Sequence, residues 1–335
     1  MKTKVNVALG LLVGILFIWL AFRGTDIEGL KSSFKEANYF YLVPIAFLSI
    51  IILMLRSYRW GVILEPMEKI DQKSLFSITA VGFMAINLLP WRMGEIARPY
   101  LISRKSSIKM GSSLATIVVE RTFDMLSLMM LLLFVLMTAQ LPNWIFRPAS
   151  YVLLIFIPLF LLLIFMAVKR ELSVKSIDRI ISRLPKAFSS WLMRVLHSFL
   201  DGLQILPDLK KTSYYSLLSM FIWFLMGLSV YVFFYSFDSM HELPLTAAYV
   251  VLVSTALGVA LPAAPGFVGT YHYFCILALS LFGIPENDAL AFAILLHFIQ
   301  VVVTIVLGLI FLPFIKVPLP TFFKSGEQLN SNGKT

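Results

Sequence analysis

Charge is scarce in this sequence. Of 335 residues only 14% are Asp, Glu, Lys or Arg, against 59% hydrophobic, whereas soluble domains carry roughly 25% charged residues. The mean hydropathy is +0.87, and several apolar runs approach the ~20 residues needed to cross a bilayer. This is the composition of a polytopic membrane protein. The chain has a single cysteine, Cys275, which excludes an intramolecular disulfide and a cysteine metal cluster. It has no phosphate-binding glycine loop, no H-E-x-x-H, no aspartate-rich diphosphate motif and no nucleophile with an evident base. No cofactor and no metal are expected, and an enzyme is not the first reading. The net charge of +10 raises nucleic acid as a partner, but no segment long enough for a duplex-reading domain is left between the apolar runs. Basic excess in a membrane protein marks cytoplasmic loops and their contact with anionic lipid.

Six full spans are expected over residues 5–22, 41–60, 113–137, 149–168, 214–237 and 289–313. The first lacks the small-residue cleavage site of a signal peptide and is expected to remain as a span. Basic residues set the orientation: "MKTK" precedes the first span, Arg104, Lys105 and Lys109 precede the third, and residues 169–211 hold nine basic and four acidic side chains. Placing these segments inside puts both termini in the cytoplasm of a cell whose inner or plasma membrane holds the protein. Residues 23–39 balance three basic against three acidic side chains and read as an external loop. Two further apolar stretches, 75–103 and 243–282, are each broken by Pro and Gly. The flanks of the first are both basic and those of the second both acidic, so each is expected to enter and leave on one side as a re-entrant hairpin. If the hairpins cross instead, the count rises to eight spans or more.

The fold class expected is therefore all-α, with span, hairpin, span in each half. "LPWRMG" (Leu89–Gly94) and "LPAAPG" (Leu261–Gly266) share Leu-Pro-x-x-x-Gly, and "ATIVVER" lies opposite "AFAILLH" downstream. The hairpins enter from opposite faces, the pattern of an inverted-topology repeat with its site near the midplane. A single transmembrane domain covers residues 1–320, with a first repeat at 41–137 and a second at 214–313. Between them, 169–211 reads as two amphipathic helices on the cytoplasmic leaflet, broken at Pro185, or packed on the protein's own spans. Residues 321–335 form a polar tail.

The chemistry lies in the interruptions. Glu120, Arg121 and Asp124 stand inside the third span, ~15 Å deep at 1.5 Å per residue, where each charge costs at least ~2.5–3.5 kcal/mol unless it faces a cavity or partner. Glu120 and Asp124 share a helix face. An internal ion cluster that only glues helices is the alternative, but such clusters seldom stabilise more than apolar packing does. Arg92, Glu95 and Arg98 follow Pro90 and line the returning limb of the first hairpin, where guanidinium forks suit phosphate. At the interface instead, Trp91 would be a belt residue and the arginines would snorkel. In the second half, Pro262, Pro265, Gly266 and Gly269 mark the turn. His272 follows the turn, and His297 stands in the last span opposite Arg121.

These three motifs, P-x-R-x-G-E-x-x-R, E-R-x-x-D and P-x-x-P-G-x-x-G, resemble the flippase-like integral membrane family of the lysylphosphatidylglycerol synthase transmembrane region. Pro90, Arg92, Gly94, Glu95, Arg98, Glu120, Arg121, Asp124, Pro262, Pro265, Gly266 and Gly269 all match. The resemblance implies a lipid-handling membrane protein, without the soluble aminoacyltransferase domain that some relatives carry. The family commonly has Glu where His272 stands and Arg where His297 stands, so the substrate need not be the same. The expected function is translocation of an anionic lipid or lipid-linked headgroup between leaflets. Arg92, Arg98 and Arg121 would hold phosphate, Glu95, Glu120 and Asp124 would position them or bind an amine, and His272 and His297 would complete the substrate path. The expected partners are anionic phospholipid or polyprenyl-linked lipid. A secondary transporter of a small polar solute fits the repeat equally. An intramembrane enzyme on polyprenyl phosphate would use Glu95 and Asp124 as acid or base.

Overall fold

The computed structural model describes residues 2–89, 94–139, 142–182, 209–261 and 264–315, with single positions between 185 and 200. Among the described residues the regular structure is helical throughout. Helix α1 covers Lys2–Phe22, α2 Ile27–Glu36, α3 Leu42–Leu64, α4 Gln72–Leu88, α5 Gly94–Lys105 and α6 Met110–Thr138. Helix α7 covers Asn143–Val168, α8 Arg170–Ile181, α9 Leu209–Phe234, α10 Leu245–Ala260, α11 Thr270–Ser280 and α12 Glu286–Phe311. Each expected span falls on one long helix. Among the described residues three segments, Tyr39–Leu64, Lys210–Phe234 and Glu286–Ile315, are long and apolar enough to cross a membrane. The two broken stretches are helical hairpins, α4–α5 and α10–α11, whose limbs pack side by side.

The order of packing follows from one antiparallel pair. Helices α3 and α9 lie together, with the Tyr58 and Tyr214 hydroxyls 2.9 Å apart at one end. At the other end the Asn38 N–H donates to the Ser236 carbonyl at 2.8 Å, and Tyr41 stacks on Tyr235. The start of each helix therefore meets the end of the other. Hairpin α4–α5 follows the end of α3, and hairpin α10–α11 follows the end of α9, so the two enter the bundle from opposite ends.

The second turn meets the end of α4. The first limbs both stop on a leucine in extended backbone, Leu89 (φ −97°, ψ 139°) and Leu261 (φ −70°, ψ 149°). Each precedes a proline, whose ring disfavours helical geometry in the residue before it. In the first hairpin Gly94 lets α5 touch α4, since a Cβ there would overlap Ala85 and Ile86 backbone. In the second, Gly266 (φ 65°), Phe267 (φ 58°) and Gly269 (φ 93°) all take left-handed backbone. A Cβ on Gly266 would sit 3.5 Å from the Asn87 carbonyl, which puts the second turn against the end of α4.

Helix α2 corrects the expectation of a plain loop over 23–39. Asp26 caps it, accepting from the Glu28 N–H (3.3 Å) and the Gly29 N–H (2.8 Å), as an N-cap carboxylate does. Leu30 and Phe34, one turn apart, pack on the main core. Ser33 donates to Asp288 at 2.6 Å and Ser239 donates to the same carboxylate at 2.7 Å. Asp288 thus ties α2 and the α9–α10 loop to the first turn of α12. That core centres on Phe292, with the rings of Phe233, Phe234 and Phe237 at 5.1, 5.5 and 6.0 Å. Leu154 and Ile155 on α7 are exposed, as lipid-facing side chains are. Helix α8 begins the basic segment, and most positions from 183 to 208, with the expected second amphipathic helix, lie outside the described residues.

A buried ion cluster between the first hairpin and the long helices

The site is built where α3, α5, α6 and α9 converge. Arg98 on α5 is 1% exposed and faces Glu120 on α6, also 1% exposed. Its two terminal nitrogens donate to the two carboxylate oxygens at 3.1 and 2.8 Å. This is the forked geometry that makes guanidinium–carboxylate pairs strong and directional. Space for it comes from Gly82 on α4, where a Cβ would overlap the Arg98 side chain. The Arg98 guanidinium also lies 4.4 Å from the Trp60 ring centroid, and Trp60 is itself held by donation to the Thr116 hydroxyl at 3.0 Å.

Arg59 on α3, fully buried, closes the cluster from the other side. It donates to Asp124 at 2.6 Å and to the Ser219 hydroxyl on α9 at 3.0 Å, and lies 3.5 Å from Glu120. Trp223 on α9 donates its indole N–H to Asp124 at 3.3 Å. Glu120 is thus shared by two guanidinium groups. Breaking such a buried set by removing one partner typically costs about 3–5 kcal/mol, because the other charge is left uncompensated.

Exposure rises across the cluster. Asp124 is 14% exposed, Glu95 26% and Arg121 29%. Arg121 lies 3.4 Å from Glu95 and 3.6 Å from Asp124. The closed side is therefore Arg59, Arg98 and Glu120, and the open edge is Glu95, Arg121 and Asp124. An ion set with one accessible guanidinium edge can exchange a carboxylate contact for an external oxyanion without dismantling its buried half.

Five of the expected site residues, Glu95, Arg98, Glu120, Arg121 and Asp124, come together here. Pro90, Arg92 and Pro262 lie outside the described residues. His272 and His297 are brought to each other, ring centroids 5.1 Å apart, at the second hairpin. His297 is stacked on Tyr271 at 4.4 Å, and His272 Nδ1 accepts from the Gly269 N–H at 3.3 Å. Among the described residues no hydrogen bond or ion pair joins the histidines to the cluster. Pro265, Gly266 and Gly269 do form the second turn.

Sequence reasoning missed Arg59 and its neighbour Arg56. The run 41–60 reads as a plain span, yet "LRSYRW" sets two arginines three apart inside it, which places them on one helix face. That spacing was the available signal.

An ion cluster enclosed between the first hairpin and long apolar helices, in a bundle with two helical hairpins that enter from opposite ends, defines an α-helical polytopic membrane protein. Within that class the chain belongs to the family of the lysylphosphatidylglycerol synthase TM region, whose profile matches residues 7–308. It is similar to the UPF0104 membrane protein MJ1595 of Methanocaldococcus jannaschii, 24% identical over 94% of this chain and 97% of that protein. It is also similar to the UPF0104 membrane protein MJ1078 of the same organism, 27% identical over 68% of this chain and 92% of that one. No solved structure matches.

Proposed function

We propose that the protein moves an anionic lipid or lipid-linked headgroup between leaflets of the cell membrane, along a polar path whose cationic station is the open edge of the ion cluster. The observation that carries this reading is the graded exposure from buried Arg98 and Glu120 to accessible Arg121. A buried anchor holds the guanidinium edge in place, and the edge itself can take phosphate oxygens. The family's name, that of a synthase of a charged phospholipid, supports a lipid substrate. Hairpins entering from opposite ends support an inverted repeat of 41–137 and 214–313, with the two turns as gates. Glu120 and Asp124, each taken by two guanidinium groups, suit positioning better than proton transfer, which favours translocation over chemistry. Both termini lie in the cytoplasm in this reading, and lipid tails stay in the bilayer while the headgroup passes.

The test uses proteoliposomes containing trace headgroup-labelled phosphatidylglycerol and a membrane-impermeant quencher added outside. Wild type is expected to expose the inner-leaflet label, and Arg121→Ala, once shown to be folded and inserted, to slow exposure by about tenfold or more. Wild type no faster than protein-free vesicles overturns the reading for this lipid, and an unaffected Arg121→Ala removes the cluster from the path.

A further inference from the structure

Arg56 lies one turn before Arg59 on α3, beside the cluster but outside its ion pairs. Its guanidinium is 5.0 Å from the ring centroid of Phe83 on α4, the same ring that lies 5.6 Å from the Arg98 guanidinium. One terminal nitrogen reaches the Met226 sulfur on α9 at 3.3 Å. The side chain is only partly exposed, and among the described residues no carboxylate stands within ion-pairing distance of it. The three carboxylates nearby are already engaged: Glu120 with Arg98 and Arg59, Asp124 with Arg59 and Arg121, Glu95 with Arg121. Four described arginines therefore face three described carboxylates, and the positive surplus falls on Arg56. A ring face and a thioether compensate a guanidinium weakly compared with a carboxylate in contact, and a charge between apolar helices without such a contact is costly.

We propose that Arg56 is a further anion-binding residue beside the Arg121 edge, and that its ligand is a phosphate oxyanion, which gives Arg56 the contacting anion it lacks between α3, α4 and α9. Arg98 and Arg59 are fixed on carboxylates, whereas Arg56 is held only by a ring face and a thioether, and its fork can exchange the thioether contact for two phosphate oxygens. The inference rests on the proposed function only for the source of the phosphate, a lipid headgroup. Free inorganic phosphate offers the same chemistry.

Binding to the purified full chain in detergent, read by calorimetry, separates these. Wild type is titrated with dihexanoyl phosphatidylglycerol, with inorganic phosphate, and with dihexanoylglycerol, which lacks phosphate. The expected result is binding of the phospholipid and not of dihexanoylglycerol, weakened about tenfold or more in Arg56→Gln. Arg56→Lys keeps the charge but not the fork, and is expected to weaken binding about threefold to tenfold even if the glutamine variant does not fold. Binding of inorganic phosphate alone, lost in Arg56→Gln, keeps the anion site and overturns the lipid reading. Wild-type protein that binds neither phosphate compound, or arginine variants that bind like wild type, overturns the inference itself. Because no transport is measured, failure of flipping in vesicles and failure of this site remain distinguishable.

Discussion

Hairpin α4–α5 closes on Gly94 and then commits Arg98 to Glu120 on the following long helix, whereas hairpin α10–α11 turns through left-handed residues and then sets His272 beside His297 on its own following helix. Both hairpins leave the first limb on an extended leucine before proline, and both face the next long helix with polar side chains. The backbone plan is shared and the chemistry is not. In the first half, tightness comes from ion pairs that tolerate no loss of a partner. In the second, it comes from stacked rings and backbone geometry. In the proposed function, the first half therefore offers a charged headgroup cationic groups and the second half offers aromatic ones.

The comparison breaks most sharply at Glu120. Glu120→Gln leaves Arg98 and part of Arg59 uncompensated and is expected to cost about 3–5 kcal/mol. His297→Gln, which removes one stacked ring, is expected to cost about 1 kcal/mol. Unfolding of each variant in mixed micelles of graded SDS content checks the pair, and near-equal losses would show that the two halves are held in the same way.

A smaller effect tests whether backbone geometry holds the second turn. Gly269 is left-handed, and a Cβ on it would crowd the Gly14 carbonyl and the Ile18 amide of α1, 2.6 and 2.9 Å away. Gly269→Ala is expected to cost about 2 kcal/mol. Gly283 is also left-handed (φ 73°) but has nothing within 4 Å of its Cβ position, so Gly283→Ala is expected to cost only about 1 kcal/mol. Equal thermal shifts for the two would mean that contact with α1 contributes nothing.

The smallest effect lies at the entry to the first hairpin, outside the spans. Asp71 caps α4, accepting from the Ser74 N–H at 2.8 Å. Hydrogen bonds from the Ser74 side chain and backbone hold its carboxyl below the ordinary range. With the folded value depressed, the stabilisation is complete above the unfolded value of ~3.9 and is lost as pH falls through the folded value. Asp71→Ala is expected to lower stability by about 0.5–1 kcal/mol at pH 7, with the gap to wild type narrowing as melts are taken toward pH 3. A gap that widens with acid would remove the cap as its cause.

Much of this architecture is written in short-range pattern. Long apolar runs fix where helices lie, because uncompensated backbone polar groups are not tolerated in lipid. The Leu-Pro steps at Leu89 and Leu261 fix where the first limbs end, because the proline ring acts on the residue before it. Charges inside apolar runs announce a site, and five of its members are legible from "GEIAR" and "ERTFD". Helix α2 was not legible in the charge balance of 23–39, since what forms it is the Asp26 cap together with the packing of Leu30 and Phe34 on a core built mostly from the other half of the chain. The partners of the site were not legible either. Composition and periodicity state that Arg59 and Arg98 are present, but only the convergence of α3, α5, α6 and α9 assigns Arg98 to Glu120 and Arg59 to Asp124 and Ser219, and leaves Arg56 facing Phe83. Ion pairing depends on distances between helices far apart in sequence, and those distances are set by packing.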